Sequence, residues 1–189
     1  MPAAKMLFLY APAGFAAMLG FVVAVAASVL FLRTKALRFD TLAASATEVG
    51  LVLLTANIVA GVVWSRAAHA VWWTWDPAIA SALVCALVYA SYLMLRRAVE
   101  EPSQRAASCA VWSIFCFLDA PIVVVAVYRW RSQHPHPALW ADLPAGWPAP
   151  LAWSTAGMFA LAALLLAVRL RQGTARREQD LQRRMGHTI

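Results

Sequence analysis

Two short stretches of this 189-residue chain concentrate side chains that could stack on, ligate or pair with a small planar molecule. The first reads Trp64-Ser65-Arg66-Ala67-Ala68-His69-Ala70-Val71-Trp72-Trp73-Thr74-Trp75-Asp76-Pro77 and places four tryptophans within 12 residues. Tryptophan is enriched at membrane interfaces, so an aromatic belt is one reading. If the stretch is an interfacial helix, Trp72 and Trp75 share a face and make a flat apolar shelf for a planar, partly hydrophobic ligand. Asp76 and Pro77 also have a plain structural role, as N-cap and first helical position of the next element.

The second stretch, Tyr128-Arg129-Trp130-Arg131-Ser132-Gln133-His134-Pro135-His136-Pro137, combines two imidazoles, two guanidiniums and an indole. Haem would suit both stretches. An imidazole ligates its iron through a nitrogen lone pair, and arginine donates charge-assisted, bidentate hydrogen bonds to its propionates. A solvated loop with unliganded histidines is the alternative. His134 is the leading candidate ligand, with His69 and His136 behind it, while His187 lies in a polar tail and has no expected role. Cys85, Cys109 and Cys116 stand in apolar sequence without metal-ligand spacing and read as small buried hydrophobes. Two acids fall inside apolar segments, where an ionised carboxylate is costly. Glu48 lies near a segment end and can reach the interface, whereas Asp119 is deeper, two residues before Pro121, whose missing N–H leaves a polar break.

The elements that position these residues follow from composition. Hydrophobic residues make up 62% of the chain and charged residues only 13%, against about 25% charged in a soluble domain. Mean hydropathy is +0.66. An ordinary soluble domain, a disordered chain, a disulfide-stapled miniprotein and a coiled coil are all excluded. A helix needs about 20 apolar residues to cross the hydrocarbon core. Residues 12–32, 42–64, 77–95, 106–128 and 151–168 meet that requirement, predicting an all-α, polytopic transmembrane bundle of about five spans. The first apolar run is too long for a cleaved signal peptide.

Net charge is +7, and its distribution predicts orientation. Twelve basic residues, Arg33, Lys35, Arg38, Arg96, Arg97, Arg105 and six more from Arg169 to Arg184, fall on one set of connections. Lys5, Arg66, Arg129 and Arg131 fall on the other. The N-terminus is therefore expected outside and the C-terminus inside, with the loops at 65–76 and 129–150 external. Residues 1–170 form the expected transmembrane domain, and residues 171–189 a basic cytoplasmic tail held near anionic lipid headgroups. Nucleic acid is not an expected partner.

The run 61–81, with Trp64 and then Trp72-Trp73-Thr74-Trp75-Asp76, resembles the tryptophan-rich WWD signature of CcmC-type haem-handling proteins of cytochrome c maturation. Pro121-Ile122-Val123, then Trp130 with His134 four residues on, resembles the second histidine loop of that family. The likeness covers about residues 5–170. It implies a multi-pass protein of the bacterial inner membrane with its haem-site loops facing the periplasm. It also implies a transiently bound b-type haem, stacked on the tryptophan loop and passed to a periplasmic chaperone of the CcmE type. Subunits of an ABC-transporter-like haem-delivery complex are further implied partners. Residue chemistry and the resemblance together give His134, Tyr10, His69, Trp72, Trp73, Trp75, Asp76, Trp130, Arg129 and Arg131 as the candidate haem-site residues.

The sequence departs from the family pattern in three places. Tyr10 stands where the first axial histidine is usual, two residues before Pro12, so either tyrosinate replaces that ligand or haem is held through His134 alone. His69 replaces a usual tryptophan, and Ala78 a usual arginine. The family usually has six spans against the five read here, a difference that a truncated start lacking a leading helix would fit.

Haem transfer without catalysis is the expected function. A ligand-free scaffold subunit is a second reading. A cytochrome b-like redox subunit is a third, disfavoured because none of the four histidines falls within a span.

Overall fold

The computed structural model describes residues 6–73, 75–119, 121–122, 125 and 146–186. Among them are five helices and no strand: α1 (Leu7–Thr34), α2 (Leu37–His69), α3 (Pro77–Ala98), α4 (Pro102–Phe117) and α5 (Pro148–Gly186). The expected all-α transmembrane bundle is observed. α1, α2, α3 and α5 are each long and apolar enough to cross a membrane and contain the predicted spans 12–32, 42–64, 77–95 and 151–168.

The remaining predicted span, 106–128, is regular helix only to Phe117, and helical residues recur at Asp119, Pro121, Ile122 and Val125. Pro121 explains the interruption. It has no N–H to give the Phe117 carbonyl, and its ring crowds that oxygen; at the same place Leu118 N–H makes a tighter turn, bonding the Phe115 carbonyl at 3.0 Å. The rest of that span lies outside the described residues.

Short, well-capped links set the topology. Lys35 takes the left-handed conformation (φ 57°) and donates its N–H to the Phe31 carbonyl, ending α1. α2 starts two residues later and runs back antiparallel along α1. Glu101 caps α4 by accepting from the Ser103 and Gln104 amides, with Pro102 in the first helical position.

Lipid tails are as apolar as leucine, so close approach of backbones must drive helix association. The seam between α1 and α2 meets that need with Ala13, Ala16, Ala17, Ala24 and Ala27, all at most 2% exposed. At the crossing, a Cβ placed on Gly50 would lie 2.8 Å from the Phe21 ring, which is closer than packed atoms allow. Phe21 in turn stacks on Tyr89 of α3, with centroids 3.6 Å apart and planes 8° from parallel. Gly50 thus sits beneath the contact that joins three helices. Gly50→Leu is expected to lower stability by about 1 to 3 kcal/mol through overpacking. Thermal unfolding in detergent checks it, and an unshifted midpoint would show that the seam is loose.

The three basic connections converge on one end of the bundle. Arg96 at the end of α3 holds Asp40 in the first turn of α2 through two 2.7 Å bonds. Arg169 of α5 lies 3.5 Å from Glu48 of α2, whose part-exposed carboxylate is three turns into that helix and on the side of the basic end. Arg177 donates to Thr41 at 3.2 Å. α5 passes residue 170, the expected domain boundary, as one unbroken helix.

Candidate functional site

The opposite end carries the tryptophan connector. α2 runs past Trp64 and stops at His69, because Ala70 adopts the left-handed conformation (φ 60°) and returns its N–H to the Arg66 carbonyl. Pro77 disfavours the helical conformation for Asp76, which is extended (φ −66°, ψ 133°). Helix is thus stopped from both sides, and the described residues of 71–76 form an irregular connector. The interfacial helix considered from sequence does not form. Trp72 and Trp75 do not share a helical face.

The aromatic surface is nevertheless present, built by a different geometry. Trp72 is 62% exposed and Trp75 80% exposed. Trp73 is half-buried and meets Trp75 edge-on at 5.6 Å and 84°. Arg66 sits with its guanidinium 5.5 Å from the Trp72 ring centre and donates a short hydrogen bond to the Ala70 carbonyl. That places a cation over one indole. His69 is exposed and packs edge-on to Trp64 at 5.2 Å and 72°.

Asp76 supports this surface from below. It is 5% exposed, and its Oδ1 accepts from the Ala78 amide at 2.9 Å, so the capping role read from sequence is realised. Tyr10 of α1 comes to the same place. Its carbonyl accepts from Asn57 Nδ2 at 2.7 Å, and its side chain interacts electrostatically with Asp76. Gly14 makes room for this contact, since a Cβ there would lie 3.0 Å from Asn57 Nδ2. The start of α5 is at this end as well, for Trp147 packs 5.5 Å from Phe8.

The structure therefore brings Tyr10, His69, Trp72, Trp73, Trp75 and Asp76 to one end of the bundle. His134, His136, Trp130, Arg129 and Arg131 lie outside the described residues. Sequence reading treated Arg66 only as a charge to be counted and passed over Asn57 as an anchor. The one signal for Asn57 was an amide inside an apolar span, which must find a partner there. Cys85, Cys109 and Cys116 are buried free thiols, as their apolar context predicts. Among the described residues no group of three His, Cys, Asp or Glu side chains can hold a metal ion.

Comparison with known proteins matches this architecture to one family. The model of the family described as Heme exporter protein C matches residues 2–185. A Heme exporter protein C from Paracoccus denitrificans (strain Pd 1222) is 30% identical, over 92% of this chain and 74% of that protein. One from Bradyrhizobium diazoefficiens is also 30% identical, over 50% of this chain and 36% of that protein. A cytochrome c biogenesis protein CcsA from Synechococcus sp. (strain RCC307) is 35% identical over 49% of this chain, a match spanning 31% of that longer relative. The family match runs through every described helix, from before α1 to the last turn of α5, and on that ground the chain belongs to the Heme exporter protein C (CcmC) family.

Proposed function

We propose that this protein binds haem at the tryptophan-bearing end of the bundle and hands it on for cytochrome c maturation. The observation that carries the reading is the exposure of Trp72 and Trp75 on a connector anchored by the buried Asp76 cap. Two indoles open to the surroundings, with a guanidinium over one of them, suit a flat apolar macrocycle with carboxylate edges. The donor set fits that cargo, since an imidazole (His69) and a phenol (Tyr10) stand at the same end as the indoles.

In this reading His134 is the axial ligand and Tyr10 fills the place of the second. Arg129 and Arg131 pair with propionates, and Trp130 extends the stacking surface. The haem is b-type and held transiently. A shallow site leaves one edge accessible, which handover requires and a buried site would deny. The protein acts by binding and release, without bond-making of its own. The tryptophan end faces the periplasm of a bacterial inner membrane, in keeping with the basic opposite end. The recipient is a periplasmic chaperone of the CcmE type, and ABC-transporter-like subunits accompany delivery.

The test is the absorption spectrum and pyridine haemochrome of detergent-purified protein coexpressed with the chaperone. Wild type is expected to show a Soret band, His134→Ala to lose it, and Tyr10→Phe to keep a shifted one. A colourless wild type would overturn the proposal, and an unshifted Tyr10→Phe spectrum would remove Tyr10 from the ligand set.

A further inference from the structure

At the basic end, the α2 N-terminus, the α3–α4 link and the continuation of α5 enclose a cavity of about 640 Å³. Five guanidiniums line it, from Arg96, Arg105, Arg169, Arg176 and Arg177, against three carboxylates, from Asp40, Glu48 and Glu100. The wall therefore carries an excess of two positive charges. The ion pairs do not remove it. Asp40 takes Arg96 and Glu48 lies against Arg169, but Arg177 donates to the neutral hydroxyl of Thr41. Arg105 holds its Nε buried with no hydrogen-bond partner among the described residues. A buried, cationic donor without an acceptor is costly, and an anion in the cavity would satisfy it.

A second opening adds the other half of the ligand. An apolar crevice of about 270 Å³, walled by Gly20 and Val23 of α1, Val49 of α2, and Phe159, Ala162 and Leu166 of α5, lies along the same α2–α5 seam. Its walls adjoin those of the basic cavity: Val49 follows Glu48, and Leu166 lies one helical turn before Arg169. From Phe159 to Leu166 the apolar crevice is about 10 Å long at 1.5 Å per residue, room for the upper part of an extended acyl chain. Gly173 closes the basic end, where a Cβ would come 2.7 Å from the Thr41 methyl and push α5 away.

We propose that this seam is a binding site for an anionic phospholipid, its phosphate among Arg105, Arg176 and Arg177 and one acyl chain in the crevice between α1, α2 and α5. Charge complementarity selects the headgroup, and the adjoining apolar crevice distinguishes a lipid from free phosphate. The site is at the opposite end from the tryptophan surface and does not depend on haem binding there.

Thermal unfolding of the full chain in neutral detergent tests it, with phosphatidylglycerol, phosphatidylcholine or inorganic phosphate added. Phosphatidylglycerol is expected to raise the midpoint by about 5 °C, and the other two to leave it nearly unchanged. Arg105→Gln is expected to abolish the gain, whereas Arg33→Gln, outside the cavity, should keep it. If Arg105→Gln cannot be purified, Arg176→Gln combined with Arg177→Gln carries the same test from the α5 continuation. An equal gain with phosphatidylcholine would overturn headgroup recognition, and an equal gain with inorganic phosphate would overturn the lipid. A gain retained in both sets of arginine variants would overturn the location.

Discussion

Asp40→Ala is expected to destabilise the protein by about 3 to 5 kcal/mol, the usual cost of stranding one member of a buried ion pair. The Asp40 side chain is 9% exposed and that of Arg96 20% exposed, and two 2.7 Å hydrogen bonds join them. Asp40 lies in the first turn of α2 and Arg96 in the last turn of α3. Each charge therefore also favours its own helix dipole. Removing the acid strips a largely buried guanidinium of the carboxylate that takes both of its hydrogen bonds. For a chain of this size the loss corresponds to a fall in Tm of about 10 °C, read in detergent at constant lipid. Leucine at both positions is expected to recover much of it, because a paired charge and an apolar pair of similar volume are often close in stability. Equal losses in the single and double variants would show that the pair is not what holds α2 to α3.

The second large effect concerns the aromatic surface. Replacing Trp72 and Trp75 together with alanine removes two stacking contacts, each worth about 0.5 to 1.5 kcal/mol beyond area burial. The combined loss of about 1 to 3 kcal/mol is a weakening of haem affinity of about 5- to 150-fold. Haem titration into the apoprotein reads it, with Trp153→Ala as the control. Trp153 is 79% exposed near the start of α5 and is not part of the connector. If the indoles served only as an interfacial belt, all of these variants would bind haem alike. The paired Trp→Phe variant should retain most of the affinity, which a merely structural loss would not reproduce.

The same connector shows why a correct choice of residues can accompany an incorrect local geometry. Three-residue spacing makes Trp72 and Trp75 neighbours only on a helix, and the sequence offers no helix there. Pro77 restricts Asp76, while the left-handed turn at Ala70 ends α2, and alanine gives no notice of such a turn. Among the described residues, Trp72 and Trp75 project from an irregular segment between two helix ends and stay exposed. Tyr10 and Asp76 are far apart in sequence, and their meeting depends on α1, α2 and α3 closing side by side.

Apolar runs long enough to span a bilayer, a cap at Asp76 and a proline break near Asp119 are properties of local sequence, so the chain alone determined them. The grouping of basic residues was equally legible, because charge does not cross the hydrocarbon core cheaply and must gather at span ends. The tertiary structure alone decided which charges pair, that Asn57 anchors the Tyr10 backbone, and that Arg66 lies over Trp72. It also decided that the α2–α5 seam carries a basic cavity at one end and an apolar crevice beside it. Those outcomes depend on the rotation and closeness of neighbouring helices. Small contacts such as Gly50 against Phe21 and Gly173 against Thr41 set that closeness, and hydropathy does not record it.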